Sequence, residues 1–235
     1  MCQFVEKDKI LIEIWSQFMA GDETAFGELF EKTSDILYRY GMKFISDEEV
    51  VKDCIQDLFI KIHTNRPLLT KSGNPTFYLL LSMKNMIRDA IAREQRITYV
   101  APEELPFIAI YQPDEDENGE EDKATKEKFE QVINLLNPRQ KEAIYLRFQL
   151  DLSYEEISLL LGINYQSARN LIHRSILKIK KKMRLSGFLF LFLQSFGWKK
   201  CIFNKKNHLL STNVFLESFE SKRPFLAQKW KEATR

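Results

Sequence analysis

Residues 161–174 read LGINYQSARNLIHR, and the fold turns on how this stretch is read. Gly162 can close one helix in a left-handed conformation, and Asn164 can cap the next. After that cap, Ala168, Leu171, Ile172, Ser175 and Ile179 recur at helical spacing and define a stripe to be buried. The opposite side carries Tyr165, Gln166, Ser167, Arg169, Asn170, His173, Arg174 and Lys178, with Lys180, Lys181 and Lys182 beyond. No acid occurs from Asn164 to Arg184. A plainly solvated face is the bland alternative, and lysines near a helix C-terminus also suit its dipole. Solvated faces usually mix signs, however. Gln, Asn and Arg are the side chains that pair with base edges, and Lys and Arg suit phosphates. The face is predicted to read DNA with its first half and grip the backbone with its second.

Working upstream, Ser153-Tyr154-Glu155-Glu156 has the spacing of a capping box, as does Asn137-Pro138-Arg139-Gln140 with proline at the first helical position. Helix, short glycine turn, helix is the helix-turn-helix pattern. The rest of the 235-residue chain agrees with a helical protein. It has only 8 Gly and 7 Pro, 44% hydrophobic and 29% charged residues, and long Leu, Ile, Glu, Lys and Gln stretches. Three scattered cysteines, Cys2, Cys54 and Cys201, give neither a C-x-x-C pair nor a disulfide framework, so no metal site and no cofactor is expected. The N-terminal residues carry Glu6 and Asp8 and do not read as a signal peptide. The longest apolar run, residues 187–198, is too short to cross a bilayer, and a cytoplasmic protein is expected.

The net charge of +2 conceals an asymmetry. Residues 101–128 hold 3 Lys+Arg against 10 Asp+Glu, whereas residues 129–184 hold 10 against 5. A basic second half suits an anionic partner. Four parts follow. Residues 7–97 carry repeated helical periodicity, with Ile10, Leu11, Ile14, Trp15, Phe18 and Met19 as one apolar set, then Phe26, Leu29, Phe30, Leu37 and Tyr40. Residues 98–123, with three prolines and a run of acids, read as an extended linker. Its apolar centre, Phe107 to Tyr111, leaves open a docking role that a pure tether does not need. Residues 124–184 form the helix-turn-helix part. Residues 185–235 are aromatic and basic, an atypical extension that could pack back on the protein, meet a partner or lie on a membrane surface. The fold class expected is all-α: two small helical domains joined by a flexible acidic linker.

The stretch LNPRQKEAIYLRFQLDLSYEEISLLLGINYQSARNLIHRSILKIKK resembles region 4 of bacterial sigma factors, above all the extracytoplasmic-function group of the sigma-70 family. Leu136, Pro138, Gln140, Leu146, Arg147, Ser153, Glu156, Gly162, Arg169, Asn170 and Arg174 carry the resemblance. The first part is similar to region 2. Asp53, Gln56, Asp57 and Phe59 fit a D-x-x-Q-[DE]-x-F pattern, and Tyr78, Leu79, Asn85, Asp89 and Arg93 match further on. One departure is His63, where many relatives carry Trp; a half-buried or surface histidine is the simple expectation.

The resemblance implies a non-enzymatic subunit that binds core RNA polymerase and directs initiation at promoters with −10 and −35 elements. Its partners would be the clamp helices of the largest polymerase subunit, the flap of the second largest, promoter DNA and an anti-sigma factor, with no small-molecule substrate. Asp53, Gln56, Asp57 and Ile60 share one helical face and would form the polymerase-binding patch. Opening the −10 element needs groups that hold an unstacked base, for which Lys71, Asn74, Asn85 and Arg88 are the candidates. The linker would thread the polymerase RNA channel. The alternative is a helix-turn-helix regulator that does not bind polymerase as a sigma subunit. The two-component type of regulator would need an α/β phosphoacceptor domain, and the first hundred residues lack its strand alternation. A DNA-processing enzyme would need a nucleophile or metal-acid cluster, and none is convincing.

Overall fold

A computed structural model describes residues 2–66, 74–95, 105–108 and 131–184, leaving aside the side chains of residues 2–8, 183 and 184. The described elements are all helical, and they fall into two compact units, one ending at Tyr99 and the other beginning at Val100. Expectations for Lys71, for most of the linker and for the extension 185–235 lie outside the described residues.

In the first unit four helices pack together: α1 (Cys2–Ala20), α2 (Glu23–Gly41), α3 (Glu48–Thr64) and α4 (Pro75–Glu94). Their ends follow from local chemistry. Gly21 takes φ +108° after α1, and the Asp22 carboxylate accepts from the Thr24 and Ala25 backbone N–H groups to start α2. Asp47 does the same for α3, accepting from Glu49 and Val50. Asn74 caps α4 ahead of Pro75, a residue whose missing N–H costs nothing there. Apolar residues at helical spacing then meet in one core, where Phe18, Leu29, Phe30, Tyr40, Ile55, Leu58, Phe59, Leu79 and Met83 are fully buried. Phe30 and Phe26 set their rings edge-on to Phe59, with centroids 5.0 and 5.9 Å away. At Gly41 a Cβ would stand 2.6 Å from a Val51 methyl and 2.9 Å from the Met83 methyl. Only glycine lets the end of α2 approach α3 and α4 so closely. Ile10, one of the apolar residues at helical spacing in α1, is exposed.

The second unit holds α5 (Pro138–Phe148), α6 (Tyr154–Leu161) and α7 (Tyr165–Arg184). Both capping boxes form. Asn137 Oδ1 accepts from the Gln140 N–H at 2.8 Å while Gln140 returns its Oε1 to the Asn137 N–H; Ser153 and Glu156 repeat the exchange. Gly162 ends α6 at φ +62°, ψ +37°. Arg139 Nη2 donates to the Leu161 carbonyl at 2.7 Å, satisfying a helix-end acceptor from a neighbouring helix. Placing a Cβ in the left-handed region costs about 1–2 kcal/mol. Gly162→Ala is therefore expected to lower stability by that amount, read as a lower urea midpoint at unchanged m-value.

Part of the linker is packed, at the apolar centre for which a docking role was left open. Residues 105–108, inside the stretch expected to be an extended tether, belong to the second unit. Leu105 and Phe107 are 4% and 3% exposed, and the Phe107 ring lies 5.6 Å from that of Tyr145 on α5. Burying these two side chains is worth about 1.5–3 kcal/mol each. Ordering four backbone residues costs about 1–2 kcal/mol each. The two nearly cancel, so this docking sits close to balance.

Candidate nucleic-acid interface and docking face

α7 is built to present one side. Ala168, Ile172 and Ser175 are fully buried, Leu171 and Ile179 half-buried, and Ser175 Oγ donates back to the Leu171 carbonyl at 2.7 Å. That fixes the rotation of the helix and turns Tyr165, Gln166, Ser167, Arg169, Asn170, His173, Arg174 and Lys178 to solvent. Asn164 Oδ1 accepts from the Ser167 N–H at 2.7 Å, so the first turn is locked in place. On the face itself, Gln166 Nε2 donates to Asn170 Oδ1 at 3.3 Å. This aligns two amides one turn apart. Lys178 does more than add charge: its Nζ donates to Gln140 Oε1 at 3.0 Å and ties α7 to the start of α5. At the N-terminal end of α7, the Tyr154 ring stands edge-on to Tyr165, and Arg147 lies over Tyr154 at 5.2 Å.

The predicted docking face on α3 is only partly assembled. Asp53 and Asp57 are exposed one turn apart and Ile60 is half-buried beside them. Gln56 is 3% exposed, so it cannot offer its side chain to a partner alongside those acids. It lies about 60° around the helix from Asp53, at the margin of the face, where packing against the rest of the bundle takes it out of solvent.

Of the candidates for holding an unstacked base, the three that are described do not converge. Asn85 is exposed and Arg88 half-buried on the same side of α4, with Arg88 Nε 3.8 Å from Asp89. Asn74 stands at the opposite end, about 17 Å from Asn85 along the helix, with its Oδ1 occupied by the Phe77 N–H. Asn85 and Arg88 remain as a pair.

Sequence reasoning missed a polar clasp in the first unit. Glu23, at the start of α2, receives His63 Nε2 at 2.9 Å and Arg66 Nη1 at 2.8 Å. The His63 ring packs edge-on to Phe26 and Arg66 lies over Phe18. The partners are 40 and 43 residues apart, so no local pattern could signal the contact. Burial pushes the Glu23 carboxyl up, but the hydrogen bonds and charges of His63 and Arg66 outweigh it and leave the group below its ordinary value. A depressed carboxylate contributes stability above its unfolded value and loses it as pH falls through the folded one. Glu23→Gln is thus expected to cost up to about 1 kcal/mol at pH 7, and the gap to wild type should close in thermal melts as the pH falls through the lowered carboxyl value.

Among the described residues no His, Cys, Asp or Glu group could hold a metal ion, and no helix is long and apolar enough to cross a membrane. The buried Cys54 thiol is pushed up to about 11 by burial, which keeps it protonated and inert.

Residues 29–97 match the Sigma-70 region 2 family and residues 126–179 match Sigma-70, region 4. The chain belongs to the sigma-70 family. Proteins similar to it include RNA polymerase sigma factors, some of them named as ECF. It is 24% identical to the ECF RNA polymerase sigma factor BldN of Streptomyces coelicolor over 71% of this chain and 63% of that one. It is 26% identical to the RNA polymerase sigma factor SigZ of Bacillus subtilis, over 66% of this chain and 84% of that one. The chain thus spans less than two thirds of BldN. Among solved structures, the sigma factor RpoE of Bartonella quintana, in complex with the anti-sigma factor NepR, is similar at 18% identity and TM-score 0.48, over 68% of this chain and 96% of that one.

Proposed function

We propose that the protein is a sigma factor that binds core RNA polymerase and directs initiation at promoters carrying −10 and −35 elements. The observation that carries this reading is the α7 face. Eight exposed residues without an acid, rotated outward by a buried stripe, stand on a helix-turn-helix that follows a region 2 unit in the family's order. α7 would enter the major groove at the −35 element. Arg169 and Asn170 would contact bases, and the lysines from Lys178 onward would contact phosphates.

Asp53 and Asp57, with Ile60 beside them, would meet the clamp helices of the largest polymerase subunit, and the second unit would meet the flap. Asn85 and Arg88 would face the −10 element. The linker would pass through the RNA channel, where its acids stand in for RNA. A cytoplasmic location, an anti-sigma partner and the absence of a catalytic activity belong to the same reading, by kinship. A regulator that never joins polymerase is the competing view, and the region 2 match speaks against it.

The test is reconstitution. The protein should co-purify with core polymerase and convert it from random to promoter-specific transcription on linear templates. A protein that binds promoter DNA alone and leaves core polymerase unchanged would overturn the proposal. Asp57→Lys should weaken the complex with core polymerase while leaving folding intact.

A further inference from the structure

Lys43 stands in the turn that follows α2 and is 8% exposed, a depth at which a lysine is normally paired. Among the described residues its ammonium has neither a carboxylate nor a hydrogen-bond acceptor. The end of α2 does not supply one. The Tyr38 and Tyr40 carbonyls accept from the Met42 and Lys43 N–H groups, and the Gly41 carbonyl from Phe44 and Ile45. The charge that does act on Lys43 has the same sign: Arg39, one turn earlier. Asp35 holds Arg39 in place, accepting from its Nε at 3.1 Å and from its Nη2. The rest of the guanidinium fork is left for another acceptor.

A second lysine at the same end of the bundle shows what Lys43 lacks. Lys84, on α4, is 5% exposed, and its Nζ lies 5.9 Å from the centroid of the Phe44 ring, within reach of a cation–π contact. Lys43 has no such ring among the described residues. The plain account of Lys43 is a buried stem with its head in water. At this exposure the head has an opening but not a hydration shell. The Trp15 Nε1 is sealed from solvent, whereas the Lys43 Nζ is not. A buried charge without a partner is costly, and a ligand that brings the missing charge through that opening offsets the cost.

We propose that the turn after α2 is a binding site for a phosphate group, whose oxygens accept from the Lys43 ammonium and the Arg39 guanidinium. Lysine acts there as a point charge and arginine as a fork, the two donor types that phosphate takes. A tetrahedral phosphate can aim one oxygen at each cation and keep the others in the opening, where the remainder of the ligand continues into solvent. The planar carboxylate lacks that freedom. A terminal phosphate and a strand phosphate present the same oxygens, so the ligand is either a free nucleotide or a nucleic-acid backbone, and the second measurement below separates them.

The first measurement is a thermal melt of the full chain near pH 7. Replacing chloride by about 50 mM phosphate at equal ionic strength should raise the melting temperature of wild type by about 5 °C more than that of Lys43→Met, for a site with a dissociation constant of about 1 mM. Taking the difference removes the general salting effect of phosphate, which both proteins share. Methionine keeps the stem and removes only the charge, so the variant retains its packing. Equal rises in the two proteins would overturn the proposal.

The second measurement uses wild type alone. The carbon-13 signal of the Lys43 Cε is followed in lysine-labelled protein as inorganic phosphate, ADP or a short single-stranded DNA is added. It should move and saturate, while the signal of Lys32, exposed on α2, stays in place. Saturation at lower ADP than DNA, counted per phosphate, assigns the site to a free nucleotide, and the reverse order assigns it to a strand. A Lys43 signal that none of the three ligands moves would overturn the site.

Discussion

Replacing Arg169 and Asn170 together with alanine is expected to weaken holoenzyme binding to its −35 duplex by at least about 30-fold, with little change on random DNA. Each good base contact discriminates by about 1–3 kcal/mol, and both residues are exposed on the outward face of α7. Asn170 is held in register by Gln166, so Gln166→Ala should give a smaller loss of the same kind. The complementary experiment removes Lys180, Lys181 and Lys182. Contacts to phosphate carry no sequence information, so affinity should fall on all DNA alike and the salt dependence should flatten by roughly one ion per lysine lost. Competition titrations at several salt concentrations separate the two classes. Equal loss on cognate and random DNA for the Arg169/Asn170 variant would contradict base reading by this face.

Lys43→Met is expected to stabilise the protein by up to about 3 kcal/mol near neutral pH. Lys43, in the turn after α2, is only 8% exposed, and its pKa is pushed down to about 8, first by burial and then by the charge of Arg39. For a base with a lowered folded value, the unfolded chain binds more protons between about pH 8 and the ordinary lysine value of 10.5, so stability rises with pH across that window. Below about pH 8 the burial penalty is fully present; above 10.5 it is gone. Methionine keeps the stem and removes the charge. Thermal melts should show a gain of about 10 °C at pH 7 that shrinks towards pH 10.5. A loss of stability at pH 7 would mean that the ammonium serves a polar role that outweighs its burial.

What could be read from sequence was what local chemistry determines. The Asn137/Gln140 and Ser153/Glu156 boxes, the Gly162 stop and the buried stripe of α7 are all encoded within a few residues, and each forms as spaced. The misreadings share a cause in tertiary contact. Gln56 sits at the edge of a face that periodicity cannot divide, and packing decided its side. The bond between His63 and Glu23 spans 40 residues. Asn74, a candidate for holding an unstacked base, has its side-chain oxygen at work as a helix cap. In the linker, composition left the role of the apolar centre open, and it is the tertiary packing that shows Leu105 and Phe107 buried.

The central claim, that two units read two promoter elements on behalf of polymerase, is tested most directly by sequencing the 5′ ends of transcripts made from genomic DNA by core polymerase with and without this protein. The protein should concentrate the ends at a set of positions that share one motif near −10 and another near −35, with the upstream motif lost when Arg169 and Asn170 are replaced. Ends distributed as with core polymerase alone would contradict it.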